Sequence, residues 1–168
     1  MLVIGIDPGT ATTGYGIVEE NNRNEIRAVE YGVVSTAAGL PAEIRLLEIN
    51  QKINEILLLH RPDCGAVEKL FFQRNVTTAI AVGQARGVIL LSLAQAGLAV
   101  SEYTPNEVKQ SVTGYGSADK KQVQEMVKTI LGLKSIPKPD DAADALAIAI
   151  CHIHSIGYQK LQTFGGAQ

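Results

Sequence analysis

Four acids in this 168-residue chain stand in contexts that point to chemistry: Asp7, Glu68, Asp141 and Asp144. Asp7 closes the apolar run Leu2-Val3-Ile4-Gly5-Ile6 and is followed by Pro8-Gly9, a turn signal. Glu68 closes a second short run, Cys64-Gly65-Ala66-Val67. Each run reads as a buried strand that presents a carboxylate at its C-terminal end. If the strands are parallel neighbours, both carboxylates emerge at one sheet edge, where open α/β sheets place their sites. Asp141 and Asp144 stand at i, i+3 in the first turn of a helical pattern and share a face. Asp140 and Asp144, at i, i+4, would do the same, and spacing does not choose between the two pairs. Ionised carboxylates gathered in a partly buried spot repel one another unless cations neutralise them. Oxygen donors with no His or Cys cluster suit Mg²⁺ or Mn²⁺ rather than Zn²⁺. A plainer reading makes Asp140 and Asp141 helix-cap and dipole partners and Asp7 an ordinary turn residue.

The elements that would hold these residues follow from pattern. Leu2–Asp7, Tyr15–Glu19 and Ile26–Ser35 read as three strands, the last two joined by a hairpin loop over Glu20–Glu25, so an antiparallel meander opens the chain. Pro41–His60 follows helical period, with Leu46, Ile49, Ile53, Ile56 and Leu57 on one stripe. Strands at Cys64–Glu68 and Leu98–Tyr103 alternate with helices at Thr77–Gln95, Asn106–Thr113, Lys120–Leu131 and Asp140 to about Ser155. Gly132 is placed to stop the helix over Lys120–Leu131. Strands in a meander, then strands alternating with helices, predict an α/β domain with a mixed sheet. The helix over Thr77–Gln95 is apolar almost all round. It is expected either centrally in the core or against a second subunit, with Ala81, Ala85, Val88 and Ser92 allowing close approach.

Composition narrows the classes. With 46% apolar and 19% charged residues, the chain has the balance of a single globular domain. Residues 1–156 are expected to form that domain and 157–168, polar and Gly-rich, a flexible C-terminal tail. Fifteen Lys and Arg against 17 Asp and Glu leave a net charge of −2, which excludes a wholly electrostatic nucleic-acid binder but not local patches. The N-terminus has no basic n-region, the longest uncharged stretch is too short to span a membrane, and Cys64 and Cys151 lie far apart in no metal-ligand spacing. A cytoplasmic protein with incidental core thiols is expected. His152 and His154, two apart, face different sides of a helix and do not suggest a shared metal.

The motifs taken together resemble a known family. Gly5-Ile6-Asp7-Pro8-Gly9, Thr13-Gly14-Tyr15-Gly16, Glu68 after Ala66-Val67, Gln84-Ala85-Arg86-Gly87, Val108-Lys109-Gln110, Gly116-Ser117-Ala118 and Asp141-Ala142-Ala143-Asp144-Ala145-Leu146-Ala147 resemble the RuvC family of bacterial Holliday-junction resolvases, in order from about Leu2 to His154. The resemblance implies an RNase H-like fold, a five-stranded mixed sheet with helices on both faces. It implies a homodimer that nicks two strands of like polarity symmetrically in a four-way DNA junction. Carried over by position, the family's four catalytic, metal-holding acids fall on Asp7, Glu68, Asp141 and Asp144, which leaves Asp140 as a cap. Its functional lysines fall on Lys109 and Lys120. Its stacking aromatic falls on Phe71, with Phe72 beside it; Arg74, close by in the sequence, is a candidate DNA contact by its charge. The implied partners are a junction-binding protein and a hexameric branch-migration motor, in a bacterial cytoplasm, with no membrane.

Beside the resemblance stands a physical case. Phosphodiester hydrolysis needs a water made nucleophilic and a leaving 3′ oxygen stabilised, and a pair of divalent ions does both. Four carboxylates from three chain segments can hold such a pair, Mg²⁺ with Mn²⁺ as a substitute and Asp7 bridging, while Lys109 or Lys120 stabilises developing charge. The Gly116-Ser117 turn leads towards the helix of Lys120, whose start could also contact phosphate. Adjacent aromatics on a loop beside Arg74 suit stacking on an unpaired base; one is expected to face outward and one inward, and the resemblance implies that Phe71 is the outward one. Arg86, Lys121 and Lys128 are further candidates to grip the duplex arms. Three other classes compete. Asp7-Pro8-Gly9-Thr10 also resembles the phosphate loop of the actin, Hsp70 and sugar-kinase superfamily, but a second Asp-Gly-Thr-type turn and a second domain are missing from the sequence. A small nuclease-like family acting on ribosomal RNA precursors should lack the paired aromatics, and a catalytically dead junction binder should lack the acids.

Overall fold

The period-2 alternation of β1 (Leu2–Asp7) decides which way its last residue points. Ile4 and Ile6 bury on one face of the sheet, while Val3, and by alternation Gly5 and Asp7, lie on the other. β4 (Cys64–Glu68) repeats the pattern: Val67 joins the first face, and Cys64 and Ala66 join the second, so Glu68 shares the face of Asp7. This is a computed structural model, and it describes residues 1–69 and 76–165.

The sheet has five strands in the order β3-β2-β1-β4-β5. β2 (Thr12–Glu20) pairs antiparallel with β1 and with β3 (Ile26–Ser35), the meander read from sequence, with an irregularity at Ile17/Val18. β1, β4 and β5 (Ala99–Tyr103) run parallel. Two helices cover the face of Ile4 and Ile6: α1 (Ala42–His60) and α2 (Val76–Gln95). Three cover the other face: α3 (Pro105–Thr113), α4 (Lys120–Ile130) and α5 (Asp140–Gly165). This is an RNase H-like α/β fold.

α5 lies on the sheet at backbone distance because the sheet presents glycine beneath it. A Cβ on Gly5 would overlap the carbonyl oxygen of Ala145 and stand 2.6 Å from the Ala149 nitrogen. A Cβ on Gly16 would stand 2.8 Å from Leu146 Cδ2, and one on Gly14 2.5 Å from the Asp141 carbonyl carbon. The facing run on α5 is Ala142, Ala143, Ala145, Leu146 and Ala149, all buried. Small residues on both sides therefore set the height of the helix, and its first turn lands on β2 beside β1.

One side of α2 belongs to the core of this chain. Ala85, Ile89, Ser92 and Leu93 are buried within this chain, and Ser92 Oγ accepts from Asn50 Nδ2 of α1 at 2.9 Å. Two of the four residues expected to admit a second subunit, Ala85 and Ser92, thus face inward. The outward side of α2 carries Ile80 and Leu91, both more than half exposed. His152 is a packed core histidine: Tyr103 Oη lies 2.8 Å from Nδ1 and Cys64 Sγ 3.2 Å from Nε2, and burial lowers its pKa. α5 continues as helix to Gly165, through most of the stretch 157–168 read as a tail; residues 166–168 lie outside the described residues.

Candidate active site

Asp7 and Glu68 stand one step beyond Ile6 and Val67, the last cross-strand pair of β1 and β4. They share a face and an edge, as the parallel pairing requires. The third segment arrives through Gly14. This residue pairs with Asp7 across β1 and β2, and it is also where the Asp141 backbone rests on the sheet. The first turn of α5 is thereby fixed next to the strand ends, and Asp144 follows one helical turn later.

The electrostatics register this convergence. Asp7 is pushed from its ordinary 3.8 up to about 8, first by burial and then by the charges of Glu68, Asp144 and Asp141, with Lys120 opposing. Glu68 is raised by burial and by Asp144. Asp144 is raised by burial, against the bond and charge of Lys120, with Asp141 and Asp140 adding to the rise. Acids from three distant parts of the chain therefore feel one another in a partly dehydrated spot. Asp140 behaves in the opposite sense. The Gln124 amide, then the Lys120 and Lys138 amines, outweigh desolvation and lower its pKa. It is the first residue of α5 rather than the residue before it, and it pairs with Lys120 at 3.6 Å and Lys138 at 3.4 Å on the exposed side.

Lys120 is the cation of the site. It opens α4, where Asp119 and Gln122 form a reciprocal capping box with two 2.9 Å bonds. From there Nζ reaches Asp144 Oδ2 at 3.1 Å. Desolvation works against its charge, yet the bonds to Asp144 and Asp140 prevail and raise its pKa. The start of α4 is a different matter from the one expected: a carboxylate, Asp119, already occupies its cap and disfavours an anion there.

The remaining sequence candidates divide. Lys109 sits half-buried on α3, and among the described residues it neither forms an ion pair nor figures among the groups shifting Asp7, Glu68 or Asp144. Arg86 is held inside the fold by an ion pair with Glu102 and a 3.4 Å bond to the Glu68 carbonyl, so it braces the end of β4. Lys128 pairs with Glu125 at 3.7 Å. Phe71, Phe72 and Arg74 lie outside the described residues.

The donor set fits a hard divalent cation: four carboxylates, no thiolate or imidazole, and mutual repulsion that a cation would relieve. Among the described residues no three such groups are drawn together into a finished cage. The Lys120 amine on Asp144 supplies part of the neutralising charge instead.

Comparison with known proteins follows the same lines. The family model described as crossover junction endodeoxyribonuclease RuvC matches residues 3–152. The crossover junction endodeoxyribonuclease RuvC of Chloroflexus aurantiacus is 58% identical over 165 residues, 98% of this chain and 99% of the relative. That of Caldicellulosiruptor saccharolyticus is 54% identical over 163 residues, 95% and 98% of the two chains. Thermus thermophilus RuvC superposes with a TM-score of 0.86 at 40% identity, covering 95% of this chain and 97% of the other. The same protein solved in complex with Holliday junction substrate gives 0.86 at 38%, covering 94% and 96%. The yeast mitochondrial resolvase Ydc2, at 13% identity and a TM-score of 0.69 over 94% and 81% of the chains, shares the fold.

Proposed function

The chain belongs to the RuvC family of crossover junction endodeoxyribonucleases, and from that premise we propose how its acids, lysines and surfaces carry out the resolution of four-way DNA junctions. It is a nuclease of recombination and repair, acting on Holliday junctions. The observation that carries the mechanism is the convergence of Glu68, Asp144 and Asp141 on Asp7.

Asp7, Glu68, Asp141 and Asp144 are the proposed holders of Mg²⁺, two ions per subunit, with Mn²⁺ able to substitute. Divalent metal bound there supplies a nucleophilic water at neutral pH and neutralises charge on the phosphate and the leaving 3′ oxygen. The chain's own residues do the rest. Asp7 is buried and feels the charges of the other three acids, and it must give up a proton before it can act as a full ligand. Burial of the strand ends keeps the site partly dehydrated, which strengthens every charge interaction inside it. Lys120 holds Asp144 and offers an amine to the phosphate as charge develops. Lys109 is proposed as a DNA contact farther along α3, and Phe71, with Phe72 and Arg74, as the stacking element at the junction centre.

Replacing Lys120 by Met should slow single-turnover cleavage about 10²–10³-fold, as expected for loss of one charged contact to a transition state. Junction affinity should fall much less. A rate within twofold of the parent would remove Lys120 from the chemistry.

A junction with near two-fold symmetry calls for two sites related by a two-fold axis, so a homodimer is proposed. The outward sides of α1 and α2, with Leu47, Ile80 and Leu91 about half exposed, are the apolar surface available to it. Residues 1–156 are the proposed nuclease unit, with the last part of α5 continuing from it as helix to Gly165. A junction-binding protein and a branch-migration motor are the proposed partners, in the cytoplasm. No helix among the described residues is long and apolar enough to cross a membrane. The test is direct: a synthetic four-way junction, Mg²⁺ with and without chelator, and ATP turnover measured in the same preparation. Paired nicks in strands of like polarity, dependent on Mg²⁺, support the reading. ATP turnover without nicking would transfer the chain to the phosphotransferase class.

A further inference from the structure

Beside the acids a cavity of about 520 Å³ opens between the β1–β2 turn, α1, α2 and the first turn of α5. Gly9, Thr10, Ala11, Thr12, Arg45, Ala81, Val82 and Asp141 line it. Arg45 is the cation among these lining residues and Asp141 the acid. The guanidinium is set in place from behind: Nε donates to Thr36 Oγ1 at 2.7 Å. Thr36 is buried, and its own hydroxyl donates to the Thr10 carbonyl at 2.7 Å. Thr10 Oγ1 in turn donates to the Ala81 carbonyl at 2.7 Å and ties the turn to α2. That chain of bonds uses one of the five guanidinium donors. Among the described residues no carboxylate forms an ion pair with Arg45, although Asp141 shares its cavity.

An arginine anchored through Nε by a buried hydroxyl, its terminal nitrogens without a carboxylate, is preorganised for a bidentate oxyanion. Its neighbour decides which one. Asp141 belongs to the acid cluster, so whatever enters the cavity lies next to the scissile phosphate. The cation on the α5 side of that cluster is Lys120, and Arg45 stands on the α1–α2 side. A DNA strand laid across the sheet edge would meet one cation on each side of the acids.

We propose that Arg45 binds the phosphodiester adjacent to the scissile one and holds the cleaved strand in register over the acids. This rests on the resolvase reading and adds to it a strand-positioning residue. Lysine is the informative replacement, because it keeps a charge but loses the fork and the anchoring Nε.

The experiment measures junction affinity in Ca²⁺ over a range of KCl, and single-turnover cleavage in Mg²⁺, for the full chain, Arg45→Ala and Arg45→Lys. Melting temperatures are recorded for each. Arg45→Ala should weaken junction binding about tenfold and reduce the slope of log K against log salt by about 0.7–0.9, one phosphate contact. Arg45→Lys should restore the slope while cleavage stays below the parent. If the parent chain fails to bind or nick the junction, the resolvase reading fails. If the parent does both and Arg45→Ala leaves the salt slope unchanged, the proposal is overturned and Arg45 is a strut for the turn, whatever happens to the melting temperature.

Discussion

Asp7→Asn should abolish junction cleavage, leave junction binding within a few-fold of the parent, and make the metal-free chain more stable at pH 8. The first part follows from position: Asp7 is the acid on which the other three converge. Its loss should exceed the ~10²–10³ in rate that removal of one preorganised electrostatic contact costs. The stability gain follows from its pKa. A carboxyl raised from 3.8 to about 8 keeps its proton in the folded chain over a range where the unfolded chain has lost it. The contribution of Asp7 to metal-free stability therefore carries no penalty below about pH 4 and declines until the pH passes about 8. The shift bounds the penalty at pH 8 at about 5 kcal/mol, and relaxation of the buried site brings the effective figure to a few kcal/mol. An amide does not ionise and escapes it, so Asp7→Asn should melt roughly 5–10 °C above the parent at pH 8 and close to it at pH 4. Thermal melts in chelator at the two pH values check this. A variant that melts below the parent at pH 8 would show that Asp7 is not the strained group inferred here.

Gly14→Ala should be nearly as damaging, although it alters no charged group. A Cβ at that position would overlap the Asp141 carbonyl oxygen and lie 3.2 Å from the Asp141 Cβ. The clash is with helix backbone, which no rotamer change relieves. Either α5 lifts at its first turn or the ends of β1 and β2 separate, and both movements take Asp141 and Asp144 away from Asp7. Overpacking of this kind costs about 1–3 kcal/mol. A displacement near 1 Å at a reacting centre costs about 10²-fold in rate. A combined loss, measured by melting and by single-turnover cleavage, is expected. Gly157→Ala is the control, because a Cβ there meets nothing within 4 Å. Parent-like cleavage by Gly14→Ala would mean that the acid cluster does not depend on the height of α5.

These two residues also mark where sequence reading succeeded and where it stopped. Asp7 and Glu68 were legible because a short apolar run ending in an acid specifies both a strand and the residue exposed at its end. The register β1–β4 then follows once the strands are parallel. The meander and the helix stripes were legible from period. Pattern alone starts β2 at Tyr15, whereas the strand begins at Thr12, because Thr13 and Gly14 are buried without being apolar. Gly14 was visible as a motif residue, but its contact is with a helix that begins 126 residues later, a distance no local pattern spans. Spacing did not choose between Asp140 and Asp141, since both fit the helix; the family resemblance did, and the ion pairs of Asp140 with Lys120 and Lys138 on the exposed side agree with it. Arg45 gave no signal, since an arginine on a helical face reads as a solvated surface residue. Its meaning comes from Thr36 and Asp141, which belong to two other elements.

The site's central feature is a proton held on Asp7 until cations replace it. Calorimetric titration of the chain with Mn²⁺ at pH 7, in buffers of different ionisation enthalpy, counts the protons released on binding. With a pKa of about 8, roughly nine-tenths of a proton should leave Asp7 for each site filled at pH 7, and only about a tenth at pH 9. Mn²⁺ binding that releases no proton at pH 7, or the same number at pH 7 and pH 9, would contradict it.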